Sequence, residues 1–271
     1  MGFFHRLLAA VNLPHRDPGN DTRVWLRRNG LATLSLQQGF TKDDSGLDKP
    51  IGYPYGMIPR LVLIFLITEA VRTQKPQIEL GSSMTDFLRA VGLRPNSRLA
   101  PSVRKQIIRL FAASIRITFV GKSSAMGASG MIADDFVLWW DKTEPSQSSL
   151  WRSFVILNGG FFKEVVKSPL PIDLGIVAGL RQSSLSLDLY LFLTCRVYTL
   201  RHPLRISMQD LEIQLGSNYK ERGEFSRECS KALRRIKFFW PQLHYKRVRG
   251  GLELTPSSPS VPRLTPKSNS K

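Results

Sequence analysis

The stretch FSRECSKALRRIKFFWP, Phe225 to Pro241, decides how the rest of the chain is read. At 100° per residue, Phe225, Cys229, Ala232, Leu233, Ile236 and Phe239 gather on one side of a helix. Arg227, Lys231, Arg234, Arg235 and Lys237 spread over the other side, with Ser230 among them. The apolar side calls for a core to pack against. The basic side suits DNA, because arginine bonds guanine O6 and N7 in pairs, lysine and arginine neutralise phosphates, and serine bonds either. Trp240-Pro241 stops the helix, and LHYKRVRGGLELTP (243–256) reads as a hairpin turning at Gly250-Gly251. Lys246, Arg247 and Arg249 precede that turn, where a hairpin would grip phosphates.

Working backward, SLSLDLYLFLTCRVYTLRH (184–202) is an apolar helix, LRI a short strand, and SMQDLEIQLGS (207–217) a capped helix. The same order occurs earlier. IPRLVLIFLITEAVRTQ (58–74) is a buried helix with Pro59 in its first turn, and IEL (78–80) a short strand. Ser82 or Ser83 caps a second helix through Met84, Phe87, Leu88 and Val91, which Gly92 ends. PSVRKQIIRLFAASIRI (101–117) is the third helix, and RITFVGKSSAMGASGMIADDFVLWWD (116–141) a hairpin around a small-residue tip. Three helices closed by a hairpin are the winged-helix variant of helix-turn-helix, whose third helix lies in the DNA major groove.

The earlier third helix has Val103, Ile107, Leu110 and Phe111 on its apolar side. Lys105, Arg109 and Arg116 line up opposite, with Arg104 at the edge and Arg98 before the helix. From Phe87 to Arg116 there are seven basic residues and no acid, whereas a merely solvated face mixes signs because like charges at i,i+4 repel. One basic face alone would read as solvated surface. Two, each third in the same order and each followed by a Gly-containing hairpin, favour DNA binding.

The chain as a whole agrees. Its 271 residues carry 39 Lys+Arg against 21 Asp+Glu, a formal charge of +18, which attracts a polyanion. With 42% apolar and 22% charged residues it has the composition of a folded soluble protein. Cys195 and Cys229 fall at apolar helix positions and read as core packing in a reducing cytoplasm. The longest oily run, LVLIFLIT from Leu61, falls short of the roughly 20 residues that span a bilayer. Met-Gly opens the chain, but Arg6 stands where a myristoylation signal wants Ser or Thr.

These readings divide the chain into an N-terminal arm and linker (1–55), a first winged-helix domain (56–142), a connector (143–182), a second winged-helix domain (183–255) and a disordered Ser/Pro/Lys tail (256–271). The expected fold class is α+β. The sparser stripe of the first domain also suits self-association, for which a homodimer is the simplest form. GKS at Gly121–Ser123 lacks the preceding glycine of a phosphate-binding loop. His5, His15, His202 and His244 have no metal spacing, Asp134, Asp135 and Asp141 read as strand acids, and Trp151 as an aromatic at a strand end. No catalytic residue, metal or cofactor is expected. A strand-nicking enzyme would need a tyrosine such as Tyr190, Tyr198 or Tyr219, without the His-x-His pair that would hold its metal. RNA binding lacks its aromatic sheet motif.

Three stretches carry a family resemblance: GMIPRLVLIFLITEAVRTQKPQIELGSSMTDFLRAVGL (56–93), FVLWWD (136–141) and LSLDLYLFLTCRVYTLRHPLRI (185–206). They resemble the plasmid-encoded RepA-type replication initiators of bacteria over about residues 20–254. The resemblance implies a protein that binds repeated duplex sequences at a plasmid origin, helps open a neighbouring A·T-rich segment, brings in the host helicase machinery and often represses its own gene. It implies neither an ATPase nor a nickase motif. A transcriptional regulator without a replication role shares every helix-level feature and is separated only by that resemblance.

Overall fold

Alternating apolar and polar residues near the N-terminus fold as strands and not as an arm. The computed structural model describes residues 1–96, 98–120, 125–140, 152–215, 219, 221 and 223–262. β1 (Gly2–His5) leads into α1 (Arg6–Ala10), followed by the hairpin β2 (Trp25–Asn29) and β3 (Ala32–Gln37). A second hairpin, β4 (Gly39–Lys42) and β5 (Asp48–Gly52), stands where a linker was expected. The arm-and-linker expectation for 1–55 is therefore corrected: Leu8, Val11, Leu34, Leu36 and Tyr53 are all in the core.

The first three-helix unit follows. α2 (Met57–Thr73) is apolar on nearly every side, β6 (Gln77–Gly81) is short, and α3 (Met84–Ala90) is capped by Ser83, whose Oγ accepts from the Asp86 backbone N–H at 3.1 Å. α4 (Ala100–Ala112) ends five residues before its expected limit. Beyond it Ile115, Ile117 and Phe119 alternate with Arg116 and Thr118, a period of two that belongs to a strand. That strand, β7 (Ser114–Val120), pairs with β8 (Ala125–Met131), as the expected hairpin should. But β7 also pairs with β3, so the hairpin completes the four-stranded sheet β2-β3-β7-β8 with the N-terminal strands. The partners of β6 are β9 (Ala133–Val137) and β10 (Ser153–Leu157), in the order β6-β10-β9.

The expected connector is also folded. After β10 come α5 (Gly159–Lys167), β11 (Pro169–Ile172), which pairs antiparallel with β1, and α6 (Leu174–Leu180), capped by Asp173. The second unit is α7 (Ser184–Thr199), β12 (Leu204–Ser207), α8 (Met208–Leu215), α9 (Glu224–Phe239), β13 (Tyr245–Val248) and β14 (Gly251–Leu254). Its sheet runs β12-β14-β13, the same first-third-second order as β6-β10-β9. The repeat of pattern is thus a repeat of topology, in which the first copy carries β7 and β8 as an insertion before its hairpin. The tail expectation is corrected over 256–262. Trp240 Nε1 donates to the Ser258 carbonyl at 3.0 Å, and the Tyr190 and Ser260 hydroxyls meet at 3.0 Å.

α2 and α7 each bury one charged side chain, and the two pair. Arg60 Nε and Nη2 donate to Asp188 Oδ1 and Oδ2 at 2.8 and 2.7 Å, with both residues about 2% exposed. The remaining guanidinium hydrogens go to the carbonyls of Leu13, Pro14 and Gly56, and His15 Nε2 lies 2.7 Å from Asp188 Oδ2. Burial pushes the Asp188 carboxyl up, but the charge of Arg60 and the hydrogen bonds from His15 and Arg60 outweigh it and leave the group below the ordinary carboxylate range. Asp188→Ala leaves a buried guanidinium uncompensated and should cost about 3–5 kcal/mol in urea unfolding, with the Arg60→Met/Asp188→Leu double change less destabilised than either single one.

Burial also lowers two histidines, His5 to about 4 against the opposing charge of Glu164, and His15 despite its bond to Asp188. Such groups stay neutral in the folded chain while the unfolded chain takes up protons below its value of 6.5, so stability is full above that pH and drains between 6.5 and about 4. Unfolding free energies measured across that window should fall with acidity, and His5→Phe should flatten the slope.

Candidate nucleic-acid interface

α9 turns its sequence pattern into two faces. Phe225, Cys229, Ala232, Leu233 and Ile236 are buried against α6, α7 and α8. Burial pushes the Cys229 thiol up to about 11, consistent with a packing role. Phe239 sits at the edge, 37% exposed, its ring pressed on Gly179, where a Cβ would collide with it.

On the outer face Arg227, Lys231, Arg234 and Phe238 follow one another at i, i+4, i+7 and i+11, all exposed. Arg227 lies 3.4 Å from Glu221 and Lys231 2.7 Å from Glu228, both solvent-exposed pairs that hold weakly. Arg234 makes no hydrogen bond or ion pair among the described residues. Arg235 is half-buried, with Nη2 donating to Gln182 Oε1 at 3.4 Å. Phe238, 77% exposed, belongs to neither face expected from the sequence, although its position four residues after Arg234 places it on the cationic stripe.

Two of the expected contacts have their charges engaged within the fold. Lys237 Nζ donates to the Pro241 and Leu243 carbonyls at 2.6 and 2.7 Å, closing the C-terminal end of α9. Arg247 reaches from β13 onto α9, with Nη2 donating to Ser226 Oγ at 3.1 Å and Nη1 to Ser230 Oγ. Ser230 in turn donates to the Ser226 carbonyl at 2.6 Å. Arg247 is therefore a clasp between hairpin and helix. Lys246 and Arg249 remain exposed, Arg249 beside Gly250 at the tip with φ +74°. Gly251 is required by close approach, since a Cβ there would meet the Ile206 carbonyl of β12.

The face of α4 is largely covered. Arg109 is buried, its Nε donating to the Ile51 carbonyl at 3.1 Å and its Nη1 to Asp17 Oδ2 at 3.1 Å, so it fastens the β4–β5 hairpin and cannot reach DNA. Gln106, on the same side, accepts from the Tyr55 backbone N–H at 2.9 Å. Arg104 is half-buried against the Trp140 carbonyl at 3.3 Å. Arg116 is exposed, but on β7 and away from the helix stripe. Arg98 and Lys105 alone of the expected set remain open at this helix. The helical wheel could not show this, because the covering hairpin comes from a distant part of the chain.

Asp141, Trp151 and the GKS stretch lie outside the described residues. Tyr190 is buried, its hydroxyl accepting from the Asp173 backbone N–H at 2.8 Å, and burial raises its pKa, opposite to what a nucleophilic phenol needs. Burial raises Tyr219 as well. No helix among the described residues is long and apolar enough to cross a membrane.

The sequence profile of the family described as plasmid-encoded RepA protein matches residues 53–208, more than half of the chain. The chain belongs to the plasmid-encoded RepA family. The match ends at the start of α8, so the α9 face of this RepA protein is an observation of the structure and not of the family profile. Two crystal structures share its fold. Selenomethionine derivatives of domains 2 and 3 of RctB superpose with a TM-score of 0.60 at 14% identity, over 92% of this chain and 97% of that one. A second structure of RctB domains 2–3 gives 0.57 at 13% identity, over 92% and 96%. No curated protein sequence matches.

The clasp generates a prediction. Arg247→Ala should loosen the hairpin from α9, lowering the melting temperature by a few degrees and raising amide exchange in β13 and β14 before the rest of the unit.

Proposed function

We propose that this RepA protein is an origin-binding replication initiator that recognises repeated duplex sequences on its plasmid, promotes opening of the adjacent DNA and recruits the host helicase machinery. Each three-helix unit is a winged helix on this reading, with β13–β14 as the second wing. The observation that carries it is the open cationic stripe of α9, beside a cationic hairpin, in a chain of the RepA family. Arg234 and Lys231 face base edges and phosphates in the major groove, and Phe238 offers an apolar end suited to a thymine methyl. Arg227 and the tip residue Arg249 grip phosphate, while Arg98 and Lys105 extend the grip from the first unit. The protein acts without catalytic residues or cofactor, in the cytoplasm.

Footprinting on the DNA flanking its own gene tests this reading. Replacing Lys231 and Arg234 by Ala should weaken specific binding at least about tenfold for each side chain removed, and Arg249→Ala should reduce the salt slope by about one with little change in sequence preference. An unchanged footprint with the double variant rules out α9 as the reader. A plasmid whose origin fragment replicates after deletion of the gene would leave only a regulator.

A further inference from the structure

The four-stranded sheet has an outward face that the α9 reading does not use. Its pairing register puts Trp25, Leu34, Leu36, Ile115 and Ile117 inward. Outward lie Leu26 and Arg28 on β2, Thr33, Ser35 and Gln37 on β3, and Ser114, Arg116 and Thr118 on β7, every one exposed or half-exposed. Arg116 stands directly across from Ser35, itself across from Leu26, and Arg28 is across from Thr33, itself across from Thr118. The face thus presents two cations among hydroxyl and amide donors. Its described side chains include no acid and no aromatic ring. Neither guanidinium makes a hydrogen bond or ion pair among the described residues.

A sheet face that serves only to stay solvated mixes charge signs and needs no row of donors. Arginine with serine, threonine and glutamine is the set that bonds phosphate and sugar oxygens without reading sequence. Stacking on single-stranded bases would call for aromatic rings, which the described face does not offer. β2 packs on α8, the helix before α9, so the face adjoins the unit that carries the reader.

We propose that the outward face of β2-β3-β7 is a second, sequence-independent binding surface for the phosphate backbone of duplex DNA, with Arg28 and Arg116 as its anchors. The proposal rests on the DNA-binding reading above and adds a surface to it.

The test uses the full chain and a labelled 40-bp duplex of arbitrary sequence, with affinity followed by anisotropy across a salt series. Arg28→Ala/Arg116→Ala should lower the slope of log K against log salt by about two, one for each phosphate no longer neutralised, with an unchanged melting temperature. Arg28→Lys/Arg116→Lys should restore most of the slope, and Ser35→Asp, which puts an acid between the two anchors, should weaken binding without removing any cation. An unchanged slope with the double Ala variant, in a protein whose Lys231→Ala/Arg234→Ala variant does lose affinity, overturns the sheet surface and leaves α9 standing. A larger drop in affinity for a 40-nucleotide oligo-dT than for the duplex overturns it in favour of single strands. Absence of duplex binding by the unmodified protein removes both readings together.

Discussion

The pairing of Arg60 with Asp188 is the constraint on which the arrangement of the two units depends. Each sits within the first two turns of a largely apolar first helix, α2 or α7, where an isolated charge would be expensive to bury. They can be buried only together, and only with the N-terminal carbonyls of Leu13 and Pro14 and the imidazole of His15 filling the remaining positions. This one network therefore fixes three stretches of chain at once: the first unit, the second unit, and the segment that runs between them from the N-terminus. The β1–β11 pairing adds a second seam between that N-terminal segment and the approach to α6.

Around that joint, hairpin and helix divide the work at the exposed cationic end of the second unit. The Arg247 bonds to Ser226 and Ser230 make β13 and α9 one piece, so the tip charges move with the helix stripe instead of swinging independently. Pre-organisation of this kind lowers the ordering cost of association. The first unit has the same strand order but puts its third helix to another use. Arg109, which on a wheel looks like a reader, holds the β4–β5 hairpin instead, and Gln106 on the same side holds the Tyr55 segment.

What was legible in the sequence was what is local. The second unit could be read almost residue by residue, because the unbroken apolar run of α7, the period of 3.6 in α9, the turn glycine at 250 and the Trp-Pro stop all sit within their own elements. The first unit was legible as an element order, while its pairing was not. Whether β6 pairs with the next hairpin or with β9 and β10 depends on the β2–β3 hairpin competing for β7, and nothing within 114–131 records that competition. The same holds for charge. Arg109 and Lys105 are alike on a helical wheel, and only a hairpin folded from residues 39–52 separates the buried one from the exposed one. Nor does anything within α2 or α7 record that Arg60 and Asp188, 128 residues apart, meet each other.

The covered face of α4 gives the molecule a direction. A protein with two equivalent reading helices would have approximate internal symmetry and could sit on a palindrome either way round. Here one copy of the repeat has its helix closed by Arg109 and the hairpin beneath it, and the other is open. The body has a head and a tail. On an array of direct repeats, copies of such a body would all point the same way, and the array would present one polarity to whatever assembles beside it.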